Sequence, residues 1–174
     1  GADIDAYTTR EFTCIYSIFM TEHLERAMEL LSDIVFHSPF PKKEIEKEKN
    51  VVIDEIQSYL DNPSEQIFED FETMIFKNHP LSTSILGTIK SVNGITANDL
   101  SEFKSKYYTP GNMVLSTTCS IPEKKLSRLA EKYFGSFNEP KNGTFKGEEL
   151  SYTPFKKIES KNTFQTHYMI GIPA

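Results

Sequence analysis

The sequence predicts a mixed α+β fold, and three observations predict it. Apolar side chains alternate over residues 4–20, the period of a strand. They then recur three and four apart over residues 24–35, 67–75 and 100–107, the period of an amphipathic helix. Alternation returns over residues 113–121, after the turn sequence Thr109-Pro110-Gly111-Asn112. With 174 residues, 38% of them hydrophobic, the chain can build about one core and is too apolar to be disordered.

Composition excludes several classes of function. Lys and Arg number 19 against 25 Asp and Glu, a formal net charge of -6, so no nucleic-acid partner is expected. No apolar run approaches the roughly 18 residues of a membrane span. Cys14 and Cys119 are too few for a disulfide framework. The four histidines, His23, His37, His79 and His167, form no HxxxH or HxxEH pair, so no helical metal site is complete within the sequence.

The elements follow in order. Ile4, Ala6, Thr8, Phe12, Cys14, Tyr16, Ile18 and Met20 keep a period of two, interrupted at Arg10-Glu11. This predicts two strands, or one that bends near Thr9 to Glu11. Ile15 and Phe19 add a second apolar face, which places the second strand centrally in a sheet. Thr21 is the expected N-cap of a helix carrying Leu24, Ala27, Met28, Leu31 and Val35 on one stripe, stopped by Ser38-Pro39-Phe40-Pro41.

A second helix is predicted from Lys42 to Leu60. Asn62, Pro63 and Glu65 open a third through a capping box, with Ile67, Phe68, Phe71, Met74 and Ile75 as its buried side. A short helical piece is expected around Ile85 to Val92. Thr96 and Asp99 box the start of another, with Leu100, Phe103 and Tyr107 inward. Met113, Leu115, Thr117, Cys119 and Ile121 alternate as a strand. Ser120 and Glu123 are expected to box a last helix carrying Leu126, Leu129, Ala130 and Tyr133, which Gly135 ends. Residues 138–162 lose periodicity and read as a linker with a short strand at Thr153 to Ile158; Phe164 to Ile172 reads as a further strand.

One constellation carries chemistry. On a wheel at about 100° per residue, Glu55 falls about 20° from Glu48. Ile45, Val51, Val52, Ile56 and Tyr59 all lie within about 80° of Glu48. Two carboxylates are thus expected inside an apolar arc, where an ionised group needs a partner. They are either members of a structural ion pair, with Lys49 as a neighbouring cation, or a metal ligand and a second carboxylate that tunes its site. One Glu cannot hold zinc, which takes three protein ligands and a water in catalytic sites.

The residues also carry a resemblance. Gly1 to Thr13 (GADIDAYTTREFT) resembles the G-x-x-N-A-x-T-S-R-E-x-T strand of the pitrilysin, insulinase and mitochondrial processing peptidase family. Glu46 to Ile56 (EKEKNVVIDEI), followed by Asp61-Asn62-Pro63, resembles that family's E-x-E-x-x-V-I-x-E-I…D-x-P helix. Leu86-Gly87 and the Tyr107 to Asn112 turn also match, in the same order.

The resemblance implies an antiparallel sheet with helices mainly on one face, a LuxS/processing-peptidase-like half-domain truncated at both ends. It implies residues 1–137 as an incomplete first peptidase module, 138–163 as a linker and 164–174 as the first strand of a second, similar module. It further implies a zinc-dependent endopeptidase acting on peptides or unfolded segments, with zinc-bound water as nucleophile. The family's H-x-x-E-H helix is absent here and is expected upstream of Gly1. Glu55 matches the third zinc ligand. Glu48 matches an acidic residue that supports a ligating His.

An extended substrate would add to the strand at Asp5, Ala6, Tyr7 and Thr8, where Asp5 stands in place of the usual Asn. By itself the chain is expected to be inactive and to self-associate through exposed core surface, its natural partner being a second module or subunit. The alternative is a non-catalytic structural or partner subunit of the same fold. A bacterial cytoplasmic location is expected from the two unpaired cysteines.

Overall fold

The computed structural model describes residues 2–135, 152–161 and 164–172. Two strands come first, β1 (Ala2–Thr8) and β2 (Thr13–Phe19). Six helices follow: α1 (Leu24–His37), α2 (Lys42–Leu60), α3 (Pro63–Ile75), α4 (Ile89–Gly94), α5 (Ala97–Tyr107) and α6 (Glu123–Phe134). The chain divides into two units. Gly1–Thr8, Phe12–Lys42 and Thr96–Phe145 make the first; Thr9–Glu11, Lys43–Ile95 and Lys146–Ala174 make the second.

In the first unit β1 and β2 pair antiparallel, from Ala2 opposite Phe19 to Thr8 opposite Thr13. Directly opposed residues share a face. Asp3, Asp5 and Tyr7 therefore stand beside Ile18, Tyr16 and Cys14. On the other face Ile15, Ser17 and Phe19 are half-buried, and Phe19 packs against the cluster of Leu24, Met28 and Leu129. The helices thus cover one face of an antiparallel pair, as an α+β fold requires. The expectation that β2 is central is corrected: among the described residues its only ladder is with β1. The face of Cys14, Tyr16 and Ile18 stays outside, with Ile18 68% exposed.

Leu24, Ala27, Met28 and Val35 of α1 are buried, as their spacing predicts. Thr21 does not cap this helix. It lies in a 3-10 turn, Thr21–His23, and His23 precedes α1 without a side-chain bond. At the other end Lys104 of α5 donates to the Phe36 carbonyl (3.3 Å) and the Ser38 carbonyl (3.0 Å). A cation there satisfies acceptors that a helix terminus leaves open. The Thr96–Asp99 capping box forms as predicted, Asp99 N–H donating to Thr96 Oγ1 (3.3 Å) and Thr96 N–H to Asp99 Oδ2 (2.8 Å).

Three further expectations in the first unit fail. Ser120 does not box α6, which starts after Pro122 with no side-chain cap. Residues 113–121 form no ladder among the described residues, and Val114 is 94% exposed. Phe103 and Tyr107, expected inward, are 54% and 42% exposed, their ring centroids 4.7 Å apart. For the last two the reason is common: alternation and amphipathicity mark a surface to be covered, and among the described residues nothing covers these.

In the second unit α3 starts on Asn62 with Pro63 in the first turn, as predicted, but the Asn62 side chain accepts from the Ser64 N–H (3.2 Å) and hydroxyl (2.6 Å) instead of forming a box with Glu65. Phe68, expected on the buried side, is 62% exposed. Phe71 does pack, its ring centroid 5.7 Å from that of Phe155. The strands expected at 153–158 and 164–172 carry no ladder among the described residues. The linker expected at 138–163 lies largely outside those residues. Gly87 has φ +71°, and an added Cβ would sit 2.8 Å from Ser91 Oγ, which caps α4 through Thr88. A side chain there would disturb both the backbone and the cap.

Candidate functional site

Helix α2 is positioned by one stripe. Ile56 is buried, and Ile45, Lys49, Val52 and Ile53 are half-buried. At 100° per residue this stripe centres roughly 80° round the helix from Glu48. Lys49 lies within it, its side chain 12% exposed, its ammonium on Glu46 Oε1 (2.9 Å) and on the Asn93 carbonyl (3.1 Å). That cation is therefore committed to Glu46 and α4.

Glu48 and Glu55 occupy the neighbouring face, and both are exposed. Val51 and Tyr59 share it, 57% and 42% exposed. The expectation that the carboxylates lie in a buried arc is thus corrected: helix packing selects one part of a broad apolar arc, and the part holding the glutamates stays outside. Neither carboxylate has an ion-pair or hydrogen-bond partner among the described residues. Seven residues separate them, about 10 Å of helical rise. One ion could be ligated by one of them while the other acts on the groups around it.

The sequence reading missed a different centre, Arg10. Its side chain is 11% exposed and meets two carboxylates of α3, through Nη2 to Glu69 Oε2 (3.0 Å) and Nε to Glu72 Oε2 (2.8 Å). Nη1 donates to the carbonyls of Leu81 (2.8 Å) and Thr83. The planar fork serves four acceptors at once, which an ammonium cannot do. The signal was present: an arginine interrupting an apolar alternation, and glutamates three apart on a later helix.

The segment Asp5, Ala6, Tyr7 and Thr8 is exposed along β1. Asp5 accepts the Ala6 N–H (2.8 Å) and the Tyr16 hydroxyl (3.3 Å). The Asp5 charge, and then its hydrogen bond, holds the Tyr16 hydroxyl above its usual pKa. Tyr7 rests edge-on to Phe12 and Tyr16, with centroids 6.0 and 6.3 Å away. His79 caps a 3-10 turn by accepting the Leu81 N–H (3.2 Å), and His37 pairs with Asp33 (3.3 Å). Among the described residues no three His, Cys, Asp or Glu side chains gather as a metal site. The fit to zinc is therefore that of a contributor: an exposed, unpaired carboxylate on a rigid helix, with further donors needed.

An antiparallel strand pair backed by helices is a fold shared with known peptidase structures. Residues 1–89 match the model of the insulinase family, peptidase family M16, and residues 94–174 that of the peptidase M16 inactive domain. The chain belongs to the insulinase family of peptidases. It is 33% identical over 171 residues to a Bacillus subtilis protein named as the uncharacterised zinc protease YmxG, covering 98% of this chain and 41% of that one. It is 36% identical over 144 residues to the Caenorhabditis elegans mitochondrial-processing peptidase subunit beta, covering 83% and 31%. The structure of a protease from Helicobacter pylori aligns with a TM-score of 0.75 at 21% identity, over 88% of this chain and 37% of that one, a likeness of fold. The chain thus spans less than half the length of these relatives.

Proposed function

We propose that this chain is part of a zinc-dependent endopeptidase that cleaves peptides or unfolded segments. The observation that carries the reading is the pair Glu48 and Glu55, exposed on one face of α2 and without partners among the described residues, in a member of a peptidase family. Glu55 would provide one zinc ligand. Glu48, two turns away, would hydrogen-bond and orient a histidine ligand supplied, with its H-x-x-E-H helix, from outside this sequence. Zinc, when bound, supplies a Lewis acid that polarises a carbonyl and makes water acidic. The remaining work falls to the protein. The open edge of β1, at Asp5, Ala6, Tyr7 and Thr8, would hold an extended peptide by backbone hydrogen bonds.

Without further ligands the chain alone would not hydrolyse peptides. Its uncovered apolar side chains, Ile18 at 68%, Phe68 at 62% and Val51 at 57% among them, favour self-association or a second module as cover. Cys14 and Cys119 are free, in keeping with a reducing, cytoplasmic setting in a bacterial parent.

A second reading has its own support. Residues 94–174 match the inactive domain, so a non-catalytic partner subunit fits the fold equally well. Cleavage of a fluorogenic unfolded peptide by the full-length protein decides. The endopeptidase reading expects cleavage that a zinc chelator abolishes and added zinc restores. Absence of cleavage, together with a degenerate motif upstream of Gly1, would establish the non-catalytic reading instead.

A further inference from the structure

The strand at the proposed substrate edge carries charge of one sign. Asp3 and Asp5 lie two apart on β1, hence on one face, and that face is the one turned away from the helices. No Lys or Arg lies within β1 or β2. The described contacts of Asp5 are with neutral donors, the Ala6 N–H at 2.8 Å and the Tyr16 hydroxyl at 3.3 Å. In an antiparallel pair every second residue turns its N–H away from its partner strand. An Ala6 N–H spent on the Asp5 carboxylate is not spent on β2, so Ala6 is one of those residues. The carboxylate therefore lies beside the edge of β1 that carries no ladder among the described residues, on a hydrogen-bonding group that an added strand would use.

We propose that Asp5, aided by Asp3, is a specificity-determining residue for the strand that adds to β1, selecting extended peptides with Lys or Arg at alternate positions. The inference rests on the strand-addition reading above. A peptide strand at this edge places alternate side chains on the Asp3–Asp5 face, about 7 Å apart, matching the spacing of the two carboxylates. Opposite charges facing across strands stabilise the pairing, and like charges destabilise it. The same rule disfavours a second copy as occupant. A two-fold pairing of β1 with itself about residue 5 sets Asp5 against Asp5. A basic peptide also releases the Ala6 N–H, because its own cation takes over the carboxylate.

The test uses the full-length protein and two fluorescein-labelled ten-residue peptides, identical except for Lys or Gln at two alternate positions. Binding is read by anisotropy, which needs no catalysis. The Lys peptide should bind about 5–10-fold tighter at low salt, a preference that shrinks as salt screens exposed charge. Asp5→Asn should bring the ratio to about 2-fold or less, and Asp5→Lys should reverse it in favour of a Glu peptide. Ala6→Pro removes the edge N–H and should weaken both peptides together.

The outcomes separate the two ideas. If Ala6→Pro weakens both peptides but the Lys to Gln ratio is near 1, or survives Asp5→Asn and Asp5→Lys, the specificity inference is overturned while strand addition stands. If Ala6→Pro leaves both affinities unchanged, strand addition falls and the inference with it. A dimer that Ala6→Pro dissociates would identify a second copy as the occupant and also overturn it.

Discussion

Two consecutive helices each carry a pair of glutamates on one face, and the pairs are treated in opposite ways. On α3, Glu69 and Glu72 are gripped by the largely buried Arg10. On α2, Glu48 and Glu55 are exposed and have no partner among the described residues. The first pair shares one cation within the chain, and that cation holds residues 9–11 to the helix. The second is left available. Carboxylates of one type on neighbouring helices thus differ in whether a cation reaches them, something the helical period alone cannot show.

The comparison can be broken most severely at Arg10. Arg10→Met removes the cation and leaves two carboxylates and two carbonyls without their donor. Loss of one partner from a largely buried pair costs about 3 kcal/mol, at the lower end of the usual range because Glu72 is 45% exposed. Urea unfolding should show this as a lower midpoint at unchanged slope. Arg10→Lys should recover only part of the loss, since an ammonium lacks the fork.

On α2 the expectation is reversed. Glu48→Gln should leave the unfolding midpoint within about 0.5 kcal/mol of wild type, as for an exposed unpaired side chain. In the full-length protein it should lower zinc affinity or cleavage by about 10–100-fold, as for a group hydrogen-bonded to a ligand. A stability loss without a functional one would make Glu48 structural, like Glu69.

Lys49 sharpens the contrast within α2. Its ammonium joins Glu46 to the α4 carbonyl of Asn93. Lys49→Met keeps the stem in the packed stripe but loses both bonds, so a cost of about 1–2 kcal/mol is expected. No change would mean that the apolar stem alone sets the position of this residue.

The smallest effect concerns pH. The hydrogen bonds from the Thr96 side chain and backbone hold Asp99 below its usual pKa. A carboxyl whose pKa is depressed on folding adds stability above its unfolded value, about 3.9, and loses it as pH falls through the folded value. Wild type should therefore lose stability below about pH 4 more steeply than Asp99→Asn. Equal slopes in urea midpoints between pH 5 and pH 2 would show that the cap adds no proton-linked stability.

What was legible in the sequence was local. The α2 boundaries, the Thr96–Asp99 box, the Asn62 start of α3 and the bend at Thr9 to Glu11 all follow from residues within a few positions of one another. What was not legible depends on distant partners. Residues 113–121 and 164–172 alternate like strands, but alternation does not supply a ladder. Phe68, Phe103 and Tyr107 look like core because they are large and apolar, yet exposure is decided by what packs against them. Arg10 finds its acceptors 59 to 73 residues away, beyond any helical or strand period. The helical period places Glu48 and Glu55 on one face but does not fix their burial, because a wide apolar arc gives no centre.

The most direct test of the central claim, that the α2 pair is kept for metal while the α3 pair is kept for the fold, is the zinc content of the full-length protein carrying Glu55→Gln, measured beside its unfolding curve. The account predicts wild-type secondary structure, an unfolding midpoint in the presence of chelator within about 0.5 kcal/mol of wild type, and loss of stoichiometric zinc together with peptide cleavage. Full zinc occupancy and undiminished cleavage in that variant would contradict it.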